Sequence, residues 1–239
     1  MEQVYKASAP GRVCLVGEHC DYARGMSVAL PLQQKITAYG ERRPDCRVSF
    51  VSSLEDVVHR LEFPLDGVPL LEDDPLRYSA AIVKVLQQQY GIGGMRVTID
   101  SDLPPRKGLG SSAAVSVATV EVFAQAYDIG IDRDDIARIA YEAEHNVLGI
   151  KCGKMDQIVA AYGSLVGIDF TNGDKGNPKV SILEHSPRQM YLLVGIPLTT
   201  KRALHIILSE ANRAYSLPRN DHDRLFRIAL DDTIPNAVV

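Results

Sequence analysis

The stretch Leu103-Pro-Pro-Arg-Lys-Gly-Leu-Gly-Ser-Ser-Ala-Ala114 opens directly onto an almost wholly apolar helical segment, Val115 to Tyr127. Glycines let a backbone turn tightly and approach a ligand closely. Small hydroxyl residues then start a helix whose free N–H groups and positive dipole end favour an anion. The run Gly108-Leu109-Gly110-Ser111-Ser112, with Lys107 beside it, therefore reads as a phosphate cradle. It is not a Walker A loop, because G-x-x-x-x-G-K-[ST] is absent, and it is not G-x-G-x-x-G. A glycine-containing turn with a serine cap is also an ordinary structural device, so the rest of the chain has to decide between the two readings.

Outward from the loop, Met95 to Ser101 alternates and predicts the strand that feeds it. The helix from Ser112 to Tyr127 is interrupted only by Ser116, Thr119, Glu121 and Gln125, so it should be buried on most sides. Upstream, short apolar runs between turn signals predict strands near 4–8, 12–17, 26–32, 34–41 and 46–51. Leu65 to Pro75 is an acidic loop, and Leu76 to Tyr90 has helical spacing. Downstream, Asp132 caps a helix running to Val147, with Ile136, Ile139, Ala140, Ala143 and Val147 on its apolar stripe. An apolar helical turn follows Asp156. Strands are expected near 164–169, 178–184 and 190–195, and a charged amphipathic helix over Lys201 to Tyr215. Strand-rich, then helix-rich, then strand-rich again is the order of an α+β protein rather than a βαβ array.

The chain of 239 residues can bury a substantial core as one large domain or two small ones. An apolar fraction of 46% and a charged fraction of 23% are those of an ordinary globular protein. A net charge of −4, without a basic block, points away from nucleic acid. No apolar run is long enough for a signal core or a membrane span. Cys14, Cys20, Cys46 and Cys152 lie far apart without C-x-x-C spacing, which suggests neither a zinc site nor a disulfide framework and gives a cytoplasmic expectation.

Two further segments carry chemistry. In Ala9-Pro-Gly-Arg-Val-Cys-Leu-Val-Gly-Glu-His-Cys-Asp-Tyr22, a strand ends at Gly17, and Glu18, His19 and Asp21 follow at once. Carboxylates accept from vicinal hydroxyls and an imidazole can accept or donate, so the cluster suits a polyhydroxylated ligand; an exposed polar turn is the plainer reading. No second His or Cys stands at ligand spacing to make His19 a metal ligand. Arg12 is either a surface arginine or an inward, charge-stabilising one.

The other segment is Glu144-His-Asn-Val-Leu-Gly-Ile-Lys-Cys-Gly-Lys-Met-Asp-Gln157. At about 100° per residue Glu144 lies at the edge of the apolar stripe, roughly 80° from Ile136, and His145 falls on the solvated face. A carboxylate in Glu144's place finds a partner or binds a cation. Asp156 is either an acid at a helix N-terminus or a general base aimed at a substrate hydroxyl.

Together the three segments resemble the GHMP kinase family, galactokinases most closely, over roughly residues 7–170. The first is similar to the sugar-recognition motif A-P-G-R-V-x-L-x-G-E-H-x-D-Y. The glycine-serine loop is similar to the ATP motif, and the third segment to E-H-x-x-x-G-x-x-C-G-x-M-D-Q with its spacing kept. The resemblance implies an N-terminal ribosomal-protein-S5-domain-2-like domain over 1–185 that binds sugar and ATP. It also implies the start of a ferredoxin-like C-terminal domain over 186–239. It implies Asp156 as the base that takes the proton of a sugar C1 hydroxyl, with Arg12 beside it. Glu18, His19, Asp21 and Gly153 would hold the sugar. Lys107, Gly108, Leu109, Gly110, Ser111 and Ser112 would cradle ATP, and Ser112 and Glu144 would ligate Mg²⁺. An aspartate paired with an arginine is a weak base, which leaves two roles open for it, orientation and proton removal.

The chain departs from the galactokinase pattern at Cys14, Cys20 and Ala23, where Asn, Thr and a polar residue are usual. Arg106 and Lys107 add positive charge beside the phosphates. No glycine-rich run follows Gly176, where the family has a third motif, so the second domain is expected to be incomplete, by ~100 residues on domain-size grounds. The implied activity is phosphorylation of a monosaccharide, galactose above others. The alternatives are an ATP- and sugar-binding sensor or inactive fragment, and a kinase of mevalonate or another small alcohol. The sequence leaves the oligomeric state open.

Overall fold

The computed structural model describes residues 3–54, 57–69, 72–105, 107–171 and 177–183. All belong to the first of two compact units, Met1–Thr199; the second, Thr200–Val239, lies outside them, as do the expected strand at 190–195 and helix at 201–215.

The elements in chain order are β1 (Val4–Val16), α1 (Cys20–Ala23), β2 (Met26–Arg42), β3 (Arg47–Leu54), β4 (Val57–Pro64), α2 (Arg77–Tyr90), β5 (Met95–Ser101), α3 (Ser111–Tyr127), α4 (Arg133–Glu142), α5 (Met155–Tyr162), β6 (Val166–Asp169) and β7 (Lys179–Ile182). The strands form one sheet in the order β4-β3-β5-β2-β6-β7. β1 runs along the remaining edge of β2, with Val4 opposite Glu41 and Val16 opposite Val28. β3 and β5 are parallel; the other pairs are antiparallel. The structure thus joins into two long strands what the sequence predicts as four. The predicted breaks are irregularities instead: the β1–β2 register slips between Pro10 and Arg12 and between Cys14 and Val16. β4 was not among the predicted strands.

β5 shows the expected alternation, with Met95, Val97 and Ile99 buried and Arg96, Thr98 and Asp100 exposed. α3 is buried nearly all round, as its composition predicts, and packs on β1 and β2. The hydroxyls of Ser79 and Thr119 meet at 3.1 Å between α2 and α3, satisfying two polar groups inside the core. Asp132 does cap α4: its Oδ1 accepts from the Asp135 N–H at 2.9 Å. The predicted helix 132–147 does not stay α-helical to its end. It widens at Glu142 into a π turn over Ala143–Val147. Among the described residues no helix is long and apolar enough to cross a membrane.

Candidate active site

The site forms where the β1 irregularity, the loop before α3 and the start of α5 converge. A Cβ on Gly11 would lie 2.5 Å from Leu103 Cδ2 and 2.8 Å from the Leu109 carbonyl oxygen, so the loop can press this closely only on a glycine. The Arg12 N–H donates to that Leu109 carbonyl at 2.9 Å. The Arg12 guanidinium donates from Nε to Asp156 Oδ1 (2.6 Å), from Nη2 to Asp156 Oδ2 (2.8 Å) and from Nη1 to the Gly108 carbonyl (2.6 Å). The Arg12 side chain is 12% exposed and that of Asp156 26%. Burial opposes the guanidinium's charge, but the Asp156 carboxylate outweighs it and the arginine pKa is raised. Two-pronged, charge-assisted bonding of this kind fixes orientation as well as charge.

The contacts of Arg12 also orient the glycine loop. Its peptides are all trans. With the Gly108 and Leu109 carbonyls turned to Arg12, the N–H groups of Leu109 and Gly110 point to the opposite side of the loop. Gly108 (φ 70°) and Gly110 (φ 72°) are both left-handed. Gly110 itself is the N-cap of α3, and no side chain caps the helix. This corrects the predicted serine cap: Ser111 and Ser112 are the first two helical residues, and the N–H groups of the first turn are left for an anion. Half-buried Lys107 lies in the same loop. The residues fit a polyphosphate.

β1 stops at Gly17 (φ 83°), where a Cβ would lie 2.1 Å from the Met26 carbonyl oxygen. The chain then passes through His19 (φ 67°), α1 and Arg24 (φ 59°), two non-glycine residues in the left-handed region. Asp21, on α1, reaches across to α5: its Oδ2 accepts from the Met155 N–H at 3.5 Å. A Cβ on Gly153 would lie 1.6 Å from the same oxygen, so Gly153 is the residue that admits the carboxylate. Burial, with Asp156 close by, pushes the Asp21 pKa up to about 6. Glu18 is exposed and exerts its charge on Arg12 and on Cys14. Cys14 donates to the Val16 carbonyl at 3.3 Å, and burial pushes its thiol up to about 12.

The π turn carries Glu144 inward. The wider turn moves it from the edge of the stripe, where a regular helix places it, to 5% exposure. Its Oε2 accepts from Gln157 Nε2 at 2.8 Å, and the Ser112 hydroxyl favours its charged form. Burial, with Asp156 nearby, pushes the Glu144 pKa up to about 7. A buried carboxylate beside a hydroxyl is a hard oxygen donor pair, suited to Mg²⁺ that takes its other oxygens from phosphate and water. His145, which the sequence leaves as structural or solvent-exposed, takes the structural place: its ring stacks on Tyr141 with centroids 4.9 Å apart, and its Nδ1 is buried with no hydrogen-bond partner among the described residues.

The structure therefore brings Arg12, Asp156, Asp21, Gly153, the glycine loop, Ser112 and Glu144 into one neighbourhood, with Glu18 at its margin. Gln157 is a member that the sequence reading passed over. Its signal was a polar residue in the otherwise apolar run Ile158-Val-Ala-Ala161, which it precedes.

Residues 77–164 match the model of the GHMP kinases N terminal domain, and residues 2–42 match the galactokinase galactose-binding signature. The chain belongs to the GHMP kinase family. The first of these matches spans the glycine loop and the Glu144–Gln157 segment; the second spans Arg12, Glu18, His19 and Asp21. The GHMP kinase fold is shared with solved structures. A D-glycero-D-manno-heptose 1-phosphate kinase from Bacteroides thetaiotaomicron is 20% identical with a TM-score of 0.68, over 77% of this chain and 61% of that one. The galactokinase of Lactococcus lactis, complexed with galactose, is 21% identical with a TM-score of 0.68, over 98% and 59%. The mevalonate kinase of Methanococcus jannaschii is 17% identical with a TM-score of 0.66, over 99% and 74%. At these identities the likeness is one of fold. This GHMP kinase chain spans about three fifths of the first two of these proteins.

Proposed function

We propose that the chain acts in ATP-dependent phosphorylation of the anomeric C1 hydroxyl of a monosaccharide, galactose being the first choice. The observation that carries the reading is Arg12, which grips Asp156 through two nitrogens and the phosphate loop through a third. One side chain thereby fixes a carboxylate against the place where a transferred phosphoryl group would lie. The galactose-binding signature over residues 2–42 supports the sugar, and Glu18, His19 and Asp21 are its acceptors in this reading.

In the reaction, the oxygen of the C1 hydroxyl bonds to the γ-phosphorus and its proton passes to Asp156. The bond from that phosphorus to the β–γ bridging oxygen breaks, and ADP leaves. Each Asp156 oxygen keeps a lone pair after bonding Arg12, so the carboxylate can still accept the proton. Arg12 and the N–H groups of Leu109, Gly110 and the first turn of α3 face the charge of the phosphates, and positioning and charge stabilisation of this sort dominate phosphoryl transfer. Ser112 and Glu144 would hold Mg²⁺, which neutralises phosphate charge when bound. We place the reaction in the cytoplasm, where ATP is supplied; the four free cysteines agree with that.

ADP release by the chain, assayed over galactose, other hexoses, hexuronic acids, arabinose and mevalonate, tests the proposal. Turnover is expected with a sugar, and Asp156→Asn should lower kcat by about 10²–10⁴-fold while leaving ATP affinity within twofold. Measurable ATP binding with no turnover on any of these alcohols would overturn the kinase reading in favour of a sensor. Full activity of Asp156→Asn would remove Asp156 from the role of base.

A further inference from the structure

Gln157 is the third residue of α5, next to Asp156, and only 2% of it is exposed. An amide is a costly choice at such a position unless both of its ends are satisfied. Here only one end is. Nε2 donates to Glu144 Oε2 at 2.8 Å, between two side chains that are both buried, while Oε1 is buried with no hydrogen-bond partner among the described residues. A leucine or methionine would fill the same volume without leaving an acceptor orphaned. The amide is therefore not explained by packing.

Glu144 supplies the explanation. It sits in a π turn, a one-turn widening of the helix that is frequent at functional sites, and is buried there. Its carboxylate is held by Gln157 near the start of α5, with Ser112 at the start of α3 favouring its charged form. We infer that Gln157 is a positioning residue for divalent metal: by its Nε2–H···Oε2 bond it turns the Glu144 carboxylate toward Ser112 and the phosphate loop. Because Asp156 and Gln157 are consecutive on one rigid turn, the acceptor of the substrate proton and the holder of the metal ligand move as one body. The inference rests on the reading of Glu144 as a Mg²⁺ ligand.

The test is calorimetric titration of ATP into the full chain over a series of Mg²⁺ concentrations and in EDTA, for Gln157→Leu, Gln157→Met and Glu144→Gln. Groups that orient metal ligands typically contribute about 10–100-fold to metal affinity. Gln157→Leu should accordingly raise the Mg²⁺ concentration needed for half-maximal tightening of ATP binding by about 10-fold. ATP affinity in EDTA should be unchanged. If leucine does not fold there, the unbranched methionine carries the same expectation. Wild-type Mg²⁺ dependence in the Gln157 variants, together with its loss in Glu144→Gln, would overturn the inference and leave the kinase reading standing. An equal loss of ATP affinity with and without Mg²⁺ would also overturn it, by showing a merely structural role. Wild-type Mg²⁺ dependence in Glu144→Gln would remove Glu144 from the metal site, and the inference with it.

Discussion

Gly153 has no side chain because Asp21 occupies the space where one would begin. The separation of 1.6 Å between the Asp21 oxygen and a Cβ at 153 is far inside any contact distance, so Gly153→Ala must displace the carboxylate. Losing one charge-assisted hydrogen bond to a sugar hydroxyl is worth about 1.5–3 kcal/mol. Gly153→Ala is therefore expected to weaken sugar binding by about 10–100-fold, measured by calorimetry, with ATP binding within twofold of the wild type. Unchanged sugar affinity would mean that Asp21 does not touch the sugar. Gln157 is the reverse case, a residue whose side chain is larger in polar capacity than its surroundings can satisfy.

At the scale of the element, α3 hides a carboxylate that the proposed chemistry does not use. Glu121 lies on this helix, and burial pushes its pKa from an ordinary 4.5 up to about 7, with Arg133 opposing weakly. Between those two values the folded chain holds a proton that the unfolded chain has released, so stability falls as pH rises from about 4.5 to 7 and stays lowered above it. Glu121→Gln has no proton to lose. It should be more stable than the wild type by about 1–2 kcal/mol at pH 8, after allowance for solvent screening, with the gain vanishing toward pH 4.5. Urea unfolding at the two pH values checks this, and a gain that does not change with pH would refute it. The elements differ in how far the sequence disclosed them. β5 was legible because one of its faces is buried and the other exposed, which is what alternation records. β1 looked broken because Pro10 and Gly11 interrupt its alternation, whereas the sheet absorbs them as a slip in register. The π turn leaves no trace in spacing, because 3.6-residue periodicity presumes that the helix continues. Glu144 therefore lies deeper than the stripe-edge position that regular spacing assigns to it.

For the whole molecule, β2 is the organising strand: it pairs with β1 along one edge and with β5 and β6 along the other, while α3 covers it. Amide exchange should consequently be slowest in β2, β5 and the middle of α3, and fastest in α1 and in β7 at the sheet margin. Mass-spectrometric exchange showing α1 as protected as α3 would contradict this. The glycine loop was legible locally, because close backbone approach and helix initiation are written in adjacent residues. The convergence of the loop with Arg12 and Asp156 was not, since no spacing rule relates residues this far apart; it entered through the family resemblance, and the fold supplies the contact. That contact spans 144 positions. A chain made at about 5–20 residues per second would present Arg12 roughly 7–30 s before Asp156 exists. During synthesis the first strand thus emerges carrying a cation whose counterpart has not yet been translated, and the site can close only after nearly two thirds of the chain has been made.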